Sequence, residues 1–346
     1  AAFSLLEDVK MSPFDIGRIL YYSLEPSQLE QDLFAVVDLI NNGSTEERAE
    51  FAQANLQAAQ KALGLSAFQS ASRYCSHGID LLKDTDWSTN RELKLNLYSV
   101  GADSELVAGN VEIAERYMEE VFERGGFTTM ETLSLTRTKV KAMASTLRFN
   151  DAVDYCLSIL KDLDYKVTAS RRLVPFETLY AVMRTIKKLK KVPKDFHKNI
   201  GVITDPKQKG IVALTASLIY VSYAADDVKL ATLAACKIVD MTLKYGLSEY
   251  SGNSVATIGA AVMLLQQDYK TVQSFMELAL GIQDTIGRAK SSKTTYVAHL
   301  YGLAWTRPLS KCLPALGDGY VVGMQMGETV MSIWALAAQR VFLPLF

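Results

Sequence analysis

Apolar residues recur three and four positions apart through most of the chain, which is the spacing that places them on one face of an α-helix. The predicted helices begin after Ser, Thr, Asp or Pro and end near Gly or Asn, the residues that favour the two ends of a helix. They span residues 44–63, 66–82, 89–108, 111–123, 128–147, 152–163, 175–189, 209–225, 228–245, 254–267, 270–286 and 293–305, and a terminal pair turns near Gly327. Alternating runs of Val, Ile and Thr, which are typical of strands, are almost absent. The pattern therefore predicts an all-α protein.

Most of the predicted helices come in pairs that are joined by short turns. The turns lie at Gly64, Gly109, Phe149, Asp226 and Asp268, at intervals of 45, 40, 77 and 42 residues. Because 77 is close to two units, we expect the helix at 175–189 to occupy the missing slot. Two-helix units of about 40 residues are typical of tetratricopeptide-like arrays, in which each hairpin buries its apolar face against its neighbours. The predicted architecture is a right-handed α-solenoid of such hairpins.

Small residues followed by tyrosines mark the second helices of the first three pairs. The three steps are Ala71 with Tyr74, Ala114 with Tyr117, and Ala152 with Tyr155. Residues three apart share a helix face, so the small residue admits the adjacent helix and the ring fills the groove beside it. We interpret these residues as packing positions and not as ligand contacts.

The spacing also predicts a division of the chain into four segments. Residues 1–43 form an N-terminal helical pair, and residues 44–172 form helical repeats. Residues 173–208 form a basic connecting segment with one helix, and residues 209–346 form further repeats and terminal helices.

The composition is typical of a folded protein, and the net charge is close to zero. It has 346 residues, of which 49% are hydrophobic and 22% charged, so it is large enough for two domains or one elongated array. The formal net charge of −1 provides no overall attraction to nucleic acid or to an anionic membrane. The four cysteines are far apart in sequence and are expected to be buried, reduced thiols of a cytoplasmic protein.

No targeting or membrane-spanning segment is evident in the sequence. The most apolar stretch, residues 210–225, is shorter than the roughly 20 residues that a membrane span needs, and Asp226 and Asp227 follow it. We expect it to be a buried helix. The chain does not begin with Met, which leads us to expect a segment of a larger protein.

Long stretches of the sequence resemble one known protein region. They include residues 52–82 (AQANLQAAQKALGLSAFQSASRYCSHGIDLL) and 84–122 (DTDWSTNRELKLNLYSVGADSELVAGNVEIAERYMEEVF), together with residues 16–24, 33–43, 243–280 and 303–330. These stretches look like the helical-repeat region that follows the ATPase module in large multidomain signal-transduction ATPases. The resemblance covers nearly the whole chain.

The resemblance implies a position within a larger signalling protein. Members of that class combine a protein kinase domain, an AAA-like ATPase module, this helical region and C-terminal sensor, histidine kinase or cyclase domains. ATP is then expected only in an upstream domain, and the resemblance implies no cofactor in this segment. The residues that carry it are packing and turn residues, so it implies a fold and an architecture more than an activity.

The sequence contains no recognisable catalytic or metal-binding motif. The glycine cluster at residues 317–319 lacks the lysine of a phosphate-binding loop. His77, His197 and His299 stand alone, and Cys75 lies two residues from His77, a spacing that points to different faces of a helix. We therefore expect a segment that is not an enzyme and holds no metal or cofactor.

One charged stretch is a candidate docking patch. It comprises Lys187, Lys188, Lys190, Lys191 and Lys194, with Arg171, Arg172, Arg184 and Lys198 nearby. Seven acidic residues between positions 103 and 123 precede it. This asymmetry suits docking to an acidic partner or to another domain of the same chain, and the alternative is a solvated helix end. No nucleic-acid module signature accompanies the patch.

Two functions remain open from the sequence. The first is a non-catalytic helical-repeat segment of a multidomain signal-transduction ATPase or kinase, which binds a protein or effector and mediates interdomain regulation. The second is a stand-alone tetratricopeptide-like adaptor that holds other proteins together. The expected partners are proteins or neighbouring domains, with no nucleic acid and no membrane span.

Overall fold

The protein is all-α in the computed structural model, which describes residues 11–43, 49–82, 87–193, 195–286, 291–325 and 328–342. These ranges contain helices, turns and one isolated backbone bridge, so the predicted fold class is confirmed at the level of all-α. Contacts between residues divide the chain into two compact units. Unit 1 is Ala1–Thr128 with Ser134–Ala142, and unit 2 is Thr129–Leu133 with Met143–Phe346. The four predicted segments stay a prediction.

Unit 1 is built from consecutive helices that pack as neighbours. They are α1 (Pro13–Ser23), α2 (Pro26–Asn41), α3 (Ala49–Gly64), α4 (Phe68–Asp80), α5 (Arg91–Ala108) and α6 (Val111–Arg124). The pairs α1 and α2, α3 and α4, and α5 and α6 pack together, and α4 also packs on α5. Ala71 and Ala114 are fully buried within this packing, as the spacing predicted.

A pair of asparagines fixes the contact between α2 and α3. The side-chain amide of Asn41 donates to Asn55 Oδ1 at 2.9 Å, and that of Asn55 donates to Asn41 Oδ1 at 3.0 Å. Asn55 is fully buried, and its amide also donates to the Phe51 carbonyl at 3.0 Å. Because a buried amide without partners would be costly, this network specifies one register for the two helices.

Unit 2 holds the later helices. Helix α7 (Leu133–Ser145) crosses the division between the units, and the helices after it are α8 (Phe149–Asp162), α9 (Val174–Leu189), α10 (Phe196–Asn199), α11 (Pro206–Ala224), α12 (Val228–Tyr245), α13 (Ser251–Gln266), α14 (Tyr269–Ile286), α15 (Ser292–Tyr301), α16 (Leu313–Gln325) and α17 (Thr329–Phe342). Short 3₁₀ turns occur at Leu303–Trp305 and Leu309–Lys311. The predicted turn at Gly327 lies outside the described residues.

Aspartate side chains cap the N-terminal ends of α11 and α12. Asp205 precedes Pro206 and accepts from the Gln208 amide at 3.0 Å, which caps α11. Asp227 accepts from the Leu230 amide at 3.0 Å and caps α12. Such caps satisfy amides that have no partner within the helix, so they set where each helix starts.

Helix α9 does not occupy the repeat slot that we expected for residues 175–189. Helix α8 packs directly on α11, α11 packs on α12, and α12 packs on α13. Helix α9 packs instead on α12 and on part of α13. It is therefore an addition beside the stacked helices, and the interval of 77 residues contains this addition in place of a regular hairpin.

A short backbone bridge anchors the chain after α10. The Leu247 amide donates to the Gly201 carbonyl at 2.8 Å, and the Ile203 amide donates to the Leu247 carbonyl at 2.9 Å. Gly246 has a φ of +111°, and a Cβ atom there would lie 2.5 Å from the Gly201 carbonyl oxygen. Only glycine suits that position, because it tolerates both the positive φ and the close approach.

Helix α11 contains the apolar stretch that the sequence marked as buried. Ten of its residues are buried, among them Leu214, Leu218 and Val221, which confirms the predicted buried helix. Across the described ranges, the helices are too short or too polar to cross a bilayer.

Candidate interaction surface on helix α9

One face of α9 is buried against α12. Val174, Thr178, Val182, Thr185 and Leu189 recur at intervals of four and three residues and are almost inaccessible to solvent. This spacing places all five on one side of the helix.

Polar contacts at the edges hold α9 in place. The Thr178 hydroxyl lies 3.0 Å from the Lys229 carbonyl and 2.7 Å from the Val174 carbonyl, so this buried hydroxyl is satisfied. Asp240 of α12 pairs with Lys188 and also lies 4.0 Å from an Arg184 guanidinium nitrogen. These contacts fix the rotation of α9 and so determine which side chains point to solvent.

The opposite side of α9 exposes apolar side chains. Phe176 is 74% exposed and Tyr180 is 70% exposed. Leu173, Leu179 and Met183 are exposed on the same side. We call these five residues the outer face of α9. An exposed apolar stripe on a helix that already buries another apolar stripe is typical of a surface that binds a partner.

The structure separates the predicted docking lysines into two groups. Lys188 pairs with Asp240, and the Lys190 ammonium lies 3.1 Å from an Asp268 carboxylate oxygen. Lys187 and Lys191 are exposed and form no ion pair with the residues described. Lys194 lies outside the described residues. Two of the five predicted lysines are thus used within the fold, and two are open to solvent beyond the C-terminal end of the outer face.

The Asp268 carboxylate, which lies beside this surface, accepts several hydrogen bonds. The Thr271 hydroxyl and the Thr271 amide donate to it, the latter at 3.1 Å. Together with Lys190, these donors lower the pKa of Asp268 to about 2. Asp268 is therefore ionised at any pH near neutrality and lies beside the Lys190 ammonium.

The N-terminal end of the outer face also carries an open cation. Arg172 is exposed and has no ion pair within the described ranges. Its neighbour Arg171 lies 3.6 Å from carboxylate oxygens of both Asp154 and Asp227. The outer face thus has unpaired positive charge near each end.

Sequence reasoning found the lysines but missed the apolar outer face. The signal was present, because Phe176, Tyr180 and Met183 follow one another at intervals of four and three residues. The same helix also carries the buried apolar stripe that begins at Val174. In the sequence the two stripes overlap and look like one hydrophobic pattern, so they do not show which apolar residues face solvent. Two apolar stripes on one short helix are the feature that marks the site.

The described ranges bring no three His, Cys, Asp or Glu side chains close enough to hold a metal ion. The four cysteines are buried and free of disulfides. Burial raises the pKa of Cys75 and of Cys156 to about 12 and that of Cys236 to about 11. Thiolates at these positions are disfavoured near neutral pH.

Comparison with known proteins relates the chain to a signalling protein. A Dictyostelium discoideum protein named hybrid signal transduction histidine kinase G is 21% identical to it over 378 aligned positions, which cover 95% of this chain. The chain spans 11% of the length of that protein. No protein-family model matches the chain, and no solved structure matches it significantly. The chain is therefore similar to one segment of a much longer signal-transduction histidine kinase.

Proposed function

We propose that this chain is a non-catalytic helical-repeat segment of a multidomain signal-transduction ATPase or kinase and that it binds a protein or a neighbouring domain. The outer face of α9 is the observation that carries this proposal. Supporting it is the similarity to a histidine kinase, which extends over 95% of the chain and only a small part of the kinase. In this proposal the protein is cytoplasmic, and ATP binds only to another domain of the parent protein.

The order of helix packing favours a tetratricopeptide-like solenoid. In such arrays the second helix of one hairpin packs on the first helix of the next. Within unit 1, α4 packs on α5, and within unit 2, α8 packs on α11 and α12 packs on α13. Each contact has the expected order, with α9 added beside the hairpins of unit 2.

Regulation in this proposal is conformational. A partner that binds the outer face of α9 in only one state of the parent protein shifts the population toward that state. The shift can be no larger than the difference in binding free energy between the two states. The segment thus needs no chemistry of its own to control a catalytic domain.

The test begins with the full-length native protein. Intact mass and peptide sequencing on both sides of this segment are expected to reveal a kinase or ATPase domain. In that protein, replacing Phe176 and Tyr180 together by Ala is expected to change ATP hydrolysis or phosphotransfer at least threefold. Trp305, which is 62% exposed on a different part of unit 2, provides the matched control Trp305→Ala.

Two outcomes would contradict the proposal. One is a native protein with no catalytic signalling domain, which would favour a stand-alone adaptor. The other is unchanged activity of the Phe176→Ala, Tyr180→Ala variant when its fold is intact by circular dichroism.

A further inference from the structure

The charge and shape of the outer face of α9 define its partner more closely. We infer that this face binds an amphipathic helix that carries carboxylates near both ends of its apolar stripe. The inference rests on the proposed function, because it names the partner of the same surface.

The apolar part of the outer face has the dimensions of a helix-binding site. Phe176 and Met183 are seven positions apart with Tyr180 between them, which corresponds to about 10 Å, or two helical turns, at 1.5 Å per residue. Recognition of an amphipathic helix typically uses anchors at such spacing. Large aromatic side chains such as Phe176 and Tyr180 usually contribute most to binding.

The end of α13 widens the apolar surface. The Gln266 side-chain amide lies 3.5 Å from the Met183 sulfur, which brings the last turn of α13 beside α9. Leu264 and Leu265, which precede Gln266, are exposed at 80% and 58%. A partner helix on α9 therefore has a second apolar element at its side.

The open charges next to this surface are positive at both ends. Arg172 lies at the N-terminal end, and Lys187 and Lys191 lie at the C-terminal end. The nearest acidic residue on α9, Glu177, accepts from the Thr168 hydroxyl and from the Ala169 amide at 3.0 Å. Its charge is engaged within the fold, so a partner with carboxylates at both ends is complementary to what remains.

A second copy of α9 fits this surface poorly. The helix has cations at both ends, so two outer faces would bring basic end against basic end in either relative direction. Such juxtaposition of like charges disfavours self-association.

An anionic membrane surface is also less suitable. A helix that lies on a bilayer carries cations along the polar edges of its apolar stripe. On α9 those edge cations are mostly engaged within the fold, because Arg184 and Lys188 share the Asp240 carboxylate and Lys190 pairs with Asp268. A protein helix of complementary charge is the better occupant.

The decisive experiment uses two synthetic 18-residue helical peptides that share one leucine stripe. One peptide has Glu at two positions near each end, and the other has Lys at the same positions. Each is titrated with residues 1–346 and followed by fluorescence anisotropy. The acidic peptide is expected to bind at least tenfold more tightly than the basic peptide.

Substitutions on α9 should change these affinities in opposite ways. Phe176→Ala with Tyr180→Ala should weaken binding of the acidic peptide at least tenfold. Lys187→Glu with Lys191→Glu should weaken the acidic peptide and strengthen the basic one. The matched controls are Trp305→Ala and the double charge reversal Lys161→Glu with Lys311→Glu, both lysines being exposed elsewhere in unit 2. The controls should leave both affinities unchanged.

The inference is overturned if the two peptides bind equally, if neither binds, or if the α9 substitutions have no effect while circular dichroism shows an intact fold. Binding to phosphatidylserine vesicles that is lost in the same α9 variants, without peptide binding, would assign the surface to membranes and would also overturn it. If α9 variants still alter the activity of the parent protein when the peptides fail, only the partner class is wrong. If both readouts fail, the proposed function is wrong as well.

Discussion

At the residue scale, several turns are closed by residues other than glycine in a left-handed conformation. Leu147 has a φ of +61°, Ser66 a φ of +59° and Gln267 a φ of +50°. The sequence pointed to Gly64 as the first turn residue, but the left-handed residue there is Ser66. Such conformations cost about 1 kcal/mol or more for a residue with a Cβ atom, so the helices on either side must stabilise them.

Leu147 provides a test of that strain. It is 76% exposed, so replacing it by Gly removes few contacts and relieves the left-handed backbone. We expect Leu147→Gly to raise the free energy of unfolding by about 0.5–1 kcal/mol in urea titrations. Leu65, which is 66% exposed and does not have a positive φ, is the control. Leu65→Gly should be neutral or destabilising, and a similar gain at both positions would contradict the strain argument.

The lysines of α9 show what a local sequence pattern can and cannot predict. Their clustering was visible in the sequence, but their pairing was not. The partner of Lys188 lies 52 residues away and that of Lys190 lies 78 residues away. Since only the tertiary fold brings these carboxylates to α9, the sequence could not distinguish the paired lysines from the open ones.

The two groups of lysines are expected to differ in stability measurements. Lys188→Met should lower the free energy of unfolding by about 0.5–1 kcal/mol, because its partly exposed pair with Asp240 is lost. Lys187→Met should leave that free energy unchanged within about 0.5 kcal/mol. A double-mutant cycle with Asp240→Asn isolates the pair energy, and a coupling near zero for Lys188 would show that the pair does not stabilise α9.

At the element scale, helix boundaries were more predictable than helix positions in space. Helix α12 was predicted at residues 228–245, the bounds that it has, because Asp227 caps it and Gly246 ends it. Helix α9 was also predicted within one residue of its observed start. Its place beside α12 was not, because its apolar stripe is compatible with packing on any apolar neighbour. The outer face was missed for the same reason.

The N-terminal cap of α14 should make stability depend on acid pH. The pKa of Asp268 is lowered to about 2 by Thr271 and Lys190, below the value of about 3.9 in an unfolded chain. Its ionised form therefore stabilises the fold above about pH 4, and that contribution is lost as the pH falls toward 2. We expect Asp268→Asn to be less stable than the wild type at pH 6 and to approach it at pH 2. If the free energies of unfolding of wild type and Asp268→Asn, measured in urea, differ by the same amount at pH 6 and at pH 2, this role for Asp268 is excluded.

At the scale of the whole molecule, the buried thiols report on the two units separately. Cys75 lies in unit 1, whereas Cys156, Cys236 and Cys312 lie in unit 2. Burial raises the pKa of each thiol, so alkylation requires that the unit around it unfolds. We expect negligible alkylation by iodoacetamide at pH 8 in native buffer.

Pulsed alkylation across a urea series, read by mass spectrometry, should then give one unfolding curve from Cys75 and a second, shared by the other three cysteines. Rapid alkylation of any of the four without urea would contradict the burial of that thiol. Different midpoints among the three cysteines of unit 2 would show that this unit unfolds in parts.

The direct packing of α8 on α11 has a consequence for how such a chain can evolve. The segment that carries α9 leaves the stack after α8 and returns at α11, so the register of the stacked helices does not fix its length. Related proteins can lengthen, shorten or replace this excursion while the neighbouring hairpins keep their spacing. Partner choice would then diversify by exchange of one helix, much as antibody loops vary on a constant scaffold.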